Sequence, residues 1–231
     1  MSANIIISYD GTDNDRDALP LGGLLAEAGA SLSLAYVRHA PEEHPAAEEA
    51  ARREAEALLE TGAQWLGRPD LPRHVVLSGS TGAGLARLAD EIGADMLVFG
   101  SDYRTPPGRI QPGTSAQRLL EGGTVAIGIA PAGLRHHPNV HIGAIGVVRE
   151  GDDGSALETA QDLAEHIGAR LASNGGGDAD LLVIGSRDGG APGRITLSAA
   201  ARYLLETVRC PVIVLPLGKA VRLAASATQA Q

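Results

Sequence analysis

Residues 94–101, ADMLVFGS, decide the fold of this chain because they describe a strand that ends in a loop. Five apolar or β-forming residues lead into Gly-Ser, a loop rich in Gly and Pro follows, and TSAQRLLEG (114–122) then favours a helix. The same segment returns 85 positions later as ADLLVIGS (179–186). Of the 37 positions that start at Asp95 and at Asp180, 14 are identical. A strand–loop–helix–strand unit is therefore present twice.

The sequence around the first copy alternates short β-rich runs with longer stretches rich in Ala and Leu. This alternation is typical of parallel sheets built from βαβ units. The predicted strands are 4–9, 31–37, 74–78, 95–101 and 124–131, and the predicted helices are about 13–28, 41–66, 80–93 and 114–122. We therefore expect an α/β fold with a doubly wound, parallel, five-stranded sheet.

The second copy is shorter than the first. HIGAIGVV (141–148) and a helix over 153–168 match the start of the first copy, but counterparts of its second helix, third strand and third helix are missing. Residues 170–173 match only the beginning of the second strand, and whether they form a strand stays open. The residues between 173 and 179 are too few for a helical crossover. We expect a complete domain at 1–132, a linker at 133–139, an abridged domain at 140–218 and a flexible tail at 219–231.

Composition excludes several classes of function. The net charge is −9, which argues against a nucleic-acid partner, since such proteins cluster Lys and Arg. Eighteen of the nineteen basic residues are Arg, and Lys219 is the only lysine, so a site built on lysine is almost excluded. The sequence shows neither an export signal nor an apolar run of about 20 residues. We expect a cytoplasmic protein that does not contact membranes.

The ordered set of motifs resembles the universal stress protein family. Asp10-Gly11-Thr12 follows the first strand, ADMLVFGS precedes the loop, Gly113-Thr114 begins the next helix, and PVIVLP (211–216) closes the second copy. The resemblance implies strand order 3-2-1-4-5 in an adenine-nucleotide α-hydrolase-like fold. It also implies pseudo-symmetric pairing of the two domains along their last strands, and a homodimer.

The resemblance further implies a site for ATP, with Mg²⁺, in the first domain. Members that bind ATP carry Gly, two residues, Gly, nine residues, then Gly with Ser or Thr. Here Gly100 and Gly113-Thr114 match the ends of that pattern, while Tyr103 takes the place of the middle glycine. Glycine allows close backbone approach, and amides at a helix start attract anions. The implied binding residues are Asp10, Val37, Gly100, Gly113, Thr114 and Ser115.

The residues themselves leave alternatives open. Asp10 could equally form an Asx turn, and Pro106, Pro107 and Pro112 remove three amide donors from the loop. No arrangement of catalytic or metal-ligating residues stands out, so we expect a non-catalytic stress-response protein that at most hydrolyses ATP incidentally. The alternative is a scaffold of the same fold that dimerises, binds no nucleotide and acts through protein partners.

The second copy is interpreted as structural. Gly185 is retained, but Asp188, Ser198 and Ala199 replace the later residues of the pattern, and the carboxylate position falls near Val148 to Glu150. Both copies nevertheless keep PGRI. Since it persists where the pattern is lost, we expect Arg109 and Arg194 to act as clamps that hold the loop to carbonyl groups or to the other unit.

Overall fold

A computed structural model describes residues 2–137, 139–172 and 178–223 of the chain. Its strands are β1 (Asn4–Ser8), β2 (Ser31–Arg38), β3 (Arg73–Leu77), β4 (Met96–Phe99), β5 (Ala126–Ile129), β6 (Ala144–Val148), β7 (Arg170–Leu171), β8 (Leu181–Ile184) and β9 (Val212–Val214). Its helices are α1 (Asp13–Arg16), α2 (Ala18–Glu27), α3 (Pro45–Trp65), α4 (Thr81–Ile92), α5 (Thr114–Leu120), α6 (Ser155–Ile167) and α7 (Ala199–Thr207). A short 3₁₀ turn spans Leu134–His136. The predicted α/β fold is confirmed.

The nine strands form one sheet in the order β3-β2-β1-β4-β5-β9-β8-β6-β7. The first five strands have the expected order 3-2-1-4-5 and pair in parallel. When the sheet is followed outward from β5 and from β9, the strands of the second copy have the same order as those of the first. A counterpart of β3 is absent from the described residues. The site discussed below lies beside β1, where the chain leaves the strand and the strand order reverses.

The two copies meet at an antiparallel pair formed by β5 and β9. In its centre Gly128 lies opposite Ile213, and these two residues are 85 positions apart, the spacing of the repeat. A pseudo-twofold axis therefore passes through this pair. β5 and β9 pair with each other, so these two strand edges are not available to a second chain. The expected homodimer would therefore need another surface.

Helices cover both faces of the sheet. One apolar layer joins α2, α3 and α6 to the sheet, and α2 contacts α6, so this layer runs through both copies. The opposite layer joins α4, α5 and α7 to the sheet. The side chains are almost all Ala, Val, Leu and Ile, as the composition predicts. Continuous packing across the β5–β9 pair makes the two copies one body.

Local chemistry sets several helix ends. The helix expected at 13–28 is interrupted at Asp17, whose buried carboxylate accepts the Gly133 and Arg135 amides and pairs with the Arg135 guanidinium. Pro20 lies in the first turn of α2, where a missing amide costs no helical hydrogen bond. At α4 the Ser80 hydroxyl accepts the Ala83 amide, as expected for an N-cap. The predicted linker is thus tied to the first copy.

The second copy differs from the expectation at its ends. Residues 170–171 do form a strand, which pairs with β6, and the expected connection at 173–177 lies outside the described residues. The predicted flexible tail is wrong for residues 219–223. Val221 and Leu223 are buried, their amides donate to Thr159 Oγ and to Asp162 of α6, and Ala3 donates to the Arg222 carbonyl. Residues 224–231 of that expected tail lie outside the described part.

Candidate functional site

A small cleft lies at the carboxyl ends of β1 and β4, and it contains five of the six expected binding residues. Its volume is about 180 Å³, and its lining includes Asp10, Gly100, Gly113, Thr114 and Ser115. In parallel α/β sheets ligands bind outside the carboxyl ends of the strands where the strand order reverses. The cleft occupies this position, since β1 lies between β2 and β4.

Gly100 is required by packing. It follows β4, and a Cβ atom at this position would overlap the backbone of Asn14 in α1. The loop after β4 therefore lies directly against the loop after β1. The structural role of this glycine, holding two loops together at one edge of the cleft, is sufficient to explain its presence.

Gly113 has a different environment. It is the N-cap of α5, its φ is −69°, and no atom lies within 4 Å of a Cβ built on it. No side chain caps this helix start. Among the described residues, none accepts a hydrogen bond from the amides of Thr114 or Ser115. These donors therefore face the open cleft.

Asp10 forms the Asx turn that was considered as an alternative to binding. Its Oδ1 accepts the Thr12 amide at 2.8 Å and the Thr12 hydroxyl, while its own amide donates to Asp15 Oδ2 at 2.9 Å. Burial, followed by the nearby Asp10 carboxylate, raises the pKa of Asp15 well above its ordinary value. Asp15 was not predicted from the sequence, although the acidic run DGTDND was a signal for it.

Val37 lies outside the cleft, and its side chain is buried beneath α4. The backbone amide and carbonyl of Val37, rather than its side chain, are relevant to the site. Tyr9 donates to the Ala35 carbonyl, so Ala35 and, by alternation, Val37 direct their backbone groups toward β1. Because β1 ends at Ser8, the Val37 groups extend past the strand, and no described residue bonds to them there. They form a free donor and acceptor beside Asp10.

Tyr103 lines the cleft but does not fill it. Its side chain is 69% exposed, and the Arg104 guanidinium lies 4.8 Å from the ring centre. Below it the loop is held by Ser101, whose buried hydroxyl donates to the Ala130 carbonyl at 2.7 Å. The second copy repeats this contact from Ser186 to Leu215 at the same distance. Both loops therefore share one scaffold.

The second copy holds a carboxylate at the position that is open in the first. The Ser198 amide, at the start of α7, donates to Glu150 Oε2 at 2.9 Å, and its hydroxyl donates to Oε1 at 2.8 Å. Asp188 accepts the Asp152 amide at 2.8 Å. The sequence located Glu150 within a range of positions but gave no reason to connect it to Ser198, which is 48 residues away.

In the described part of the chain no side-chain cation lines the first cleft. Lys219 donates to the Thr124 carbonyl at the opposite edge of the sheet. Arg109 donates to the Thr207 carbonyl of the second copy, and Arg194 donates to the Gly122 carbonyl of the first. These contacts cross between the copies, as expected for clamps. Any anion in this cleft would have to be held through backbone amides, hydroxyls or a metal ion.

Other chemistry is sparse in the described part of the chain. No group of three or more His, Cys, Asp or Glu residues there is arranged to hold a metal ion. Burial raises the pKa of the Cys210 thiol to about 11, so this thiol is a weak nucleophile at neutral pH. Within the same residues no helix combines the length and apolarity needed to cross a membrane.

Comparisons with known proteins agree with this architecture. The model of the universal stress protein family matches residues 1–127. A universal stress protein from Archaeoglobus fulgidus superposes with a TM-score of 0.69 at 14% identity, covering 94% of this chain and 99% of that one. A functionally unknown protein from Pseudomonas aeruginosa gives a TM-score of 0.61 at 13% identity, covering 94% of this chain and 93% of that one. The comparison with curated protein sequences gives no match.

A shorter overlap has higher identity. A universal stress protein in complex with cAMP is 31% identical, but it covers 42% of this chain and 70% of its own, with a TM-score of 0.31. An overlap this partial carries no argument about a ligand. The two long superpositions show the fold, and the family model identifies its type.

Proposed function

The chain belongs to the universal stress protein family, and from this premise we propose that it is a non-catalytic cytoplasmic stress-response protein that binds an adenine nucleotide. The site is the cleft of the first copy, and ATP with Mg²⁺ is the proposed ligand. The observation that carries the proposal is the convergence of free donors. Among the described residues, the amides at the start of α5 and the backbone of Val37 have no partner on the side that faces the site.

The amides at the start of α5 suit the phosphates of a nucleotide, and the backbone groups of Val37 suit its base. Helix-start amides bind phosphate through N–H groups and the helix dipole. A free backbone donor and acceptor side by side can pair with the edge of adenine. A cleft of about 180 Å³ is below the usual range for a ligand pocket, about 300–1,000 Å³. We therefore place the phosphates in the cleft and the base at its rim, near Val37.

The charge of the cleft is the reason that Mg²⁺ is part of the proposal. Asp10 and Asp102 both line it, and carboxylates repel phosphate unless a cation intervenes. Mg²⁺ commonly binds through one or two carboxylates together with phosphate oxygens. Asp10 has an oxygen outside its Asx turn and is the residue that would hold the ion. The chain would supply binding and orientation, and no lysine is available to stabilise a transferring phosphate.

Titration calorimetry with ATP and Mg²⁺ tests this proposal. We expect saturable binding of one nucleotide per chain and no steady release of phosphate. Gly113→Asp, which places a carboxylate at the start of α5, should weaken binding at least about tenfold, since a like charge costs more than about 1.4 kcal/mol. Gly113→Ala is the matched control for the added charge, because a methyl group meets no protein atom there, and it should weaken binding less than Gly113→Asp does.

Asp10→Ala should remove the dependence of binding on Mg²⁺, with circular dichroism to check that the fold survives loss of the Asx turn. Absence of binding at millimolar ATP would exclude the proposal. Equal affinity in Gly113→Asp and Gly113→Ala would place the nucleotide somewhere other than the start of α5.

A second candidate is the scaffold that binds no nucleotide. It is favoured by the Asx turn, because the turn gives Asp10 a structural role without a ligand. Because β5 and β9 pair with each other within the chain, a homodimer of this scaffold would form through another surface. A chain that binds no ATP but forms a homodimer by light scattering would support this candidate.

A further inference from the structure

The carboxylate in the second copy occupies a position related by the repeat to Asp10. Asp10 lies two residues beyond the end of β1 at Ser8, and Glu150 lies two residues beyond the end of β6 at Val148. The two acids therefore leave equivalent strands at equivalent points. They differ by one methylene group and by the direction in which the carboxylate points.

Glu150 reaches the helix start that Asp10 leaves free. Ser198 is 85 positions after Gly113 and is the N-cap of α7 as Gly113 is the N-cap of α5. In the second copy the amide and hydroxyl of Ser198 are both bonded to the Glu150 carboxylate. The Ser198 hydroxyl also accepts the Ala201 amide at 3.1 Å, so the cap and the carboxylate form one network.

Asp188 covers the same region from the other side. It takes the place of Tyr103 in the repeat, and although its side chain is also exposed, it accepts the Asp152 amide at 2.8 Å. Its own amide donates to the Glu150 carbonyl at 3.3 Å. Gly151, between them, has a φ of +151°, and a Cβ there would overlap the Asp188 carboxylate. This fit holds the loop that carries Glu150 against the loop that follows β8.

We propose that Glu150 is a built-in anionic ligand that closes the second copy of the site. Its carboxylate binds the amide and hydroxyl of Ser198, the counterpart of Gly113, whose own amide has no acceptor among the described residues. An external anion is excluded by occupancy and by the charges of Glu150 and Asp188. The chain consequently has one open site and one permanently closed site.

Chemical rescue tests this closure. Glu150→Ala removes the atoms of one acetate ion while leaving the donors of Ser198 in place. We expect the variant to melt about 4–8 °C below the parent protein in sodium chloride. Sodium acetate or inorganic phosphate at the same ionic strength should restore at least about 2 °C of that loss. Both chains carry Gly113→Asp, so that the first copy cannot account for an anion effect.

The parent chain with Glu150 intact should show no anion-specific gain, because its donors are occupied. Glu150→Gln keeps an acceptor for the Ser198 amide and serves as the second variant if the alanine chain fails to fold; it should be rescued less than the alanine variant. If acetate and phosphate stabilise all chains equally, or none more than chloride does, Glu150 is only a structural side chain. The measurement uses no nucleotide, so its outcome is independent of ATP binding by the first copy.

Discussion

Gly100 and Gly113 were both predicted to be nucleotide-binding residues, but their surroundings in the structure differ. Both match a nucleotide-binding pattern, yet Gly100 is needed so that two loops can touch, while Gly113 faces open space. Neither has a positive φ. A glycine that no protein contact demands is the better indicator of a ligand, because its lack of a side chain serves nothing else in the described structure.

The two glycines should therefore respond differently to alanine. Gly100→Ala forces a methyl group into the Asn14 backbone and should cost about 2–3 kcal/mol, a fall in Tm of about 4–12 °C for a chain of this size. Gly113→Ala, the matched control, should change Tm by less than about 2 °C. Thermal melting followed by circular dichroism measures both. An unchanged Tm for Gly100→Ala would mean that the loops separate easily.

At the scale of elements, the repeated PGRI segments tie each copy to the other. Arg109 reaches the carbonyl of Thr207 at the end of α7, and Arg194 reaches Gly122 just after α5. Thr207 and Gly122 are themselves 85 positions apart, so the two contacts are related by the pseudo-twofold axis. The segment persists in both copies because each arginine secures the opposite helix end, where carbonyl groups lack helical partners.

Removing either arginine should loosen the junction of the copies. Arg109→Ala and Arg194→Ala each lose one charge-assisted hydrogen bond, worth about 1 kcal/mol at a partly exposed site, and should lower Tm by about 2–4 °C. The two losses should add in the double variant. Arg187→Ala is the control, because the Arg187 side chain is exposed and bonds to no described residue. Equal melting of all these variants would show that the clamps contribute no stability.

At the scale of the whole molecule, the abridged second copy is stabilised by what surrounds it. It shares an apolar layer with the first copy through α2 and α6, and it pairs through β9 with β5. Residues 219–223 then return along α6 to the start of β1. The missing outer elements are compensated by continuity with the first copy, so the second copy depends on it for its core.

The returning segment should therefore be essential to stability. A chain that ends at Gly218 loses Val221 and Leu223, which are 5% and 1% exposed. Burial of two such side chains is worth about 3–6 kcal/mol as an upper estimate. We expect a Tm at least about 6 °C below that of a chain ending at Leu223, which is the matched reference. Equal Tm values for the two chains would contradict a packed role for this segment.

The sequence by itself determined the alternation of strands and helices and the repeat, which follow from local signals, since hydrophobic periodicity, turn residues and spacing are properties of neighbouring positions. The order of the first sheet and five of the residues that line the first cleft were implied by the resemblance to the universal stress protein family. Only the tertiary structure decided that Gly100 is a packing residue, that Asp15 lies beside Asp10, that residues 219–223 pack against α6, and that Glu150 bonds to Ser198. Whether these residues meet depends on strand register, on the path of a loop and on side-chain rotamers. The local sequence pattern of either contacting segment does not determine these features.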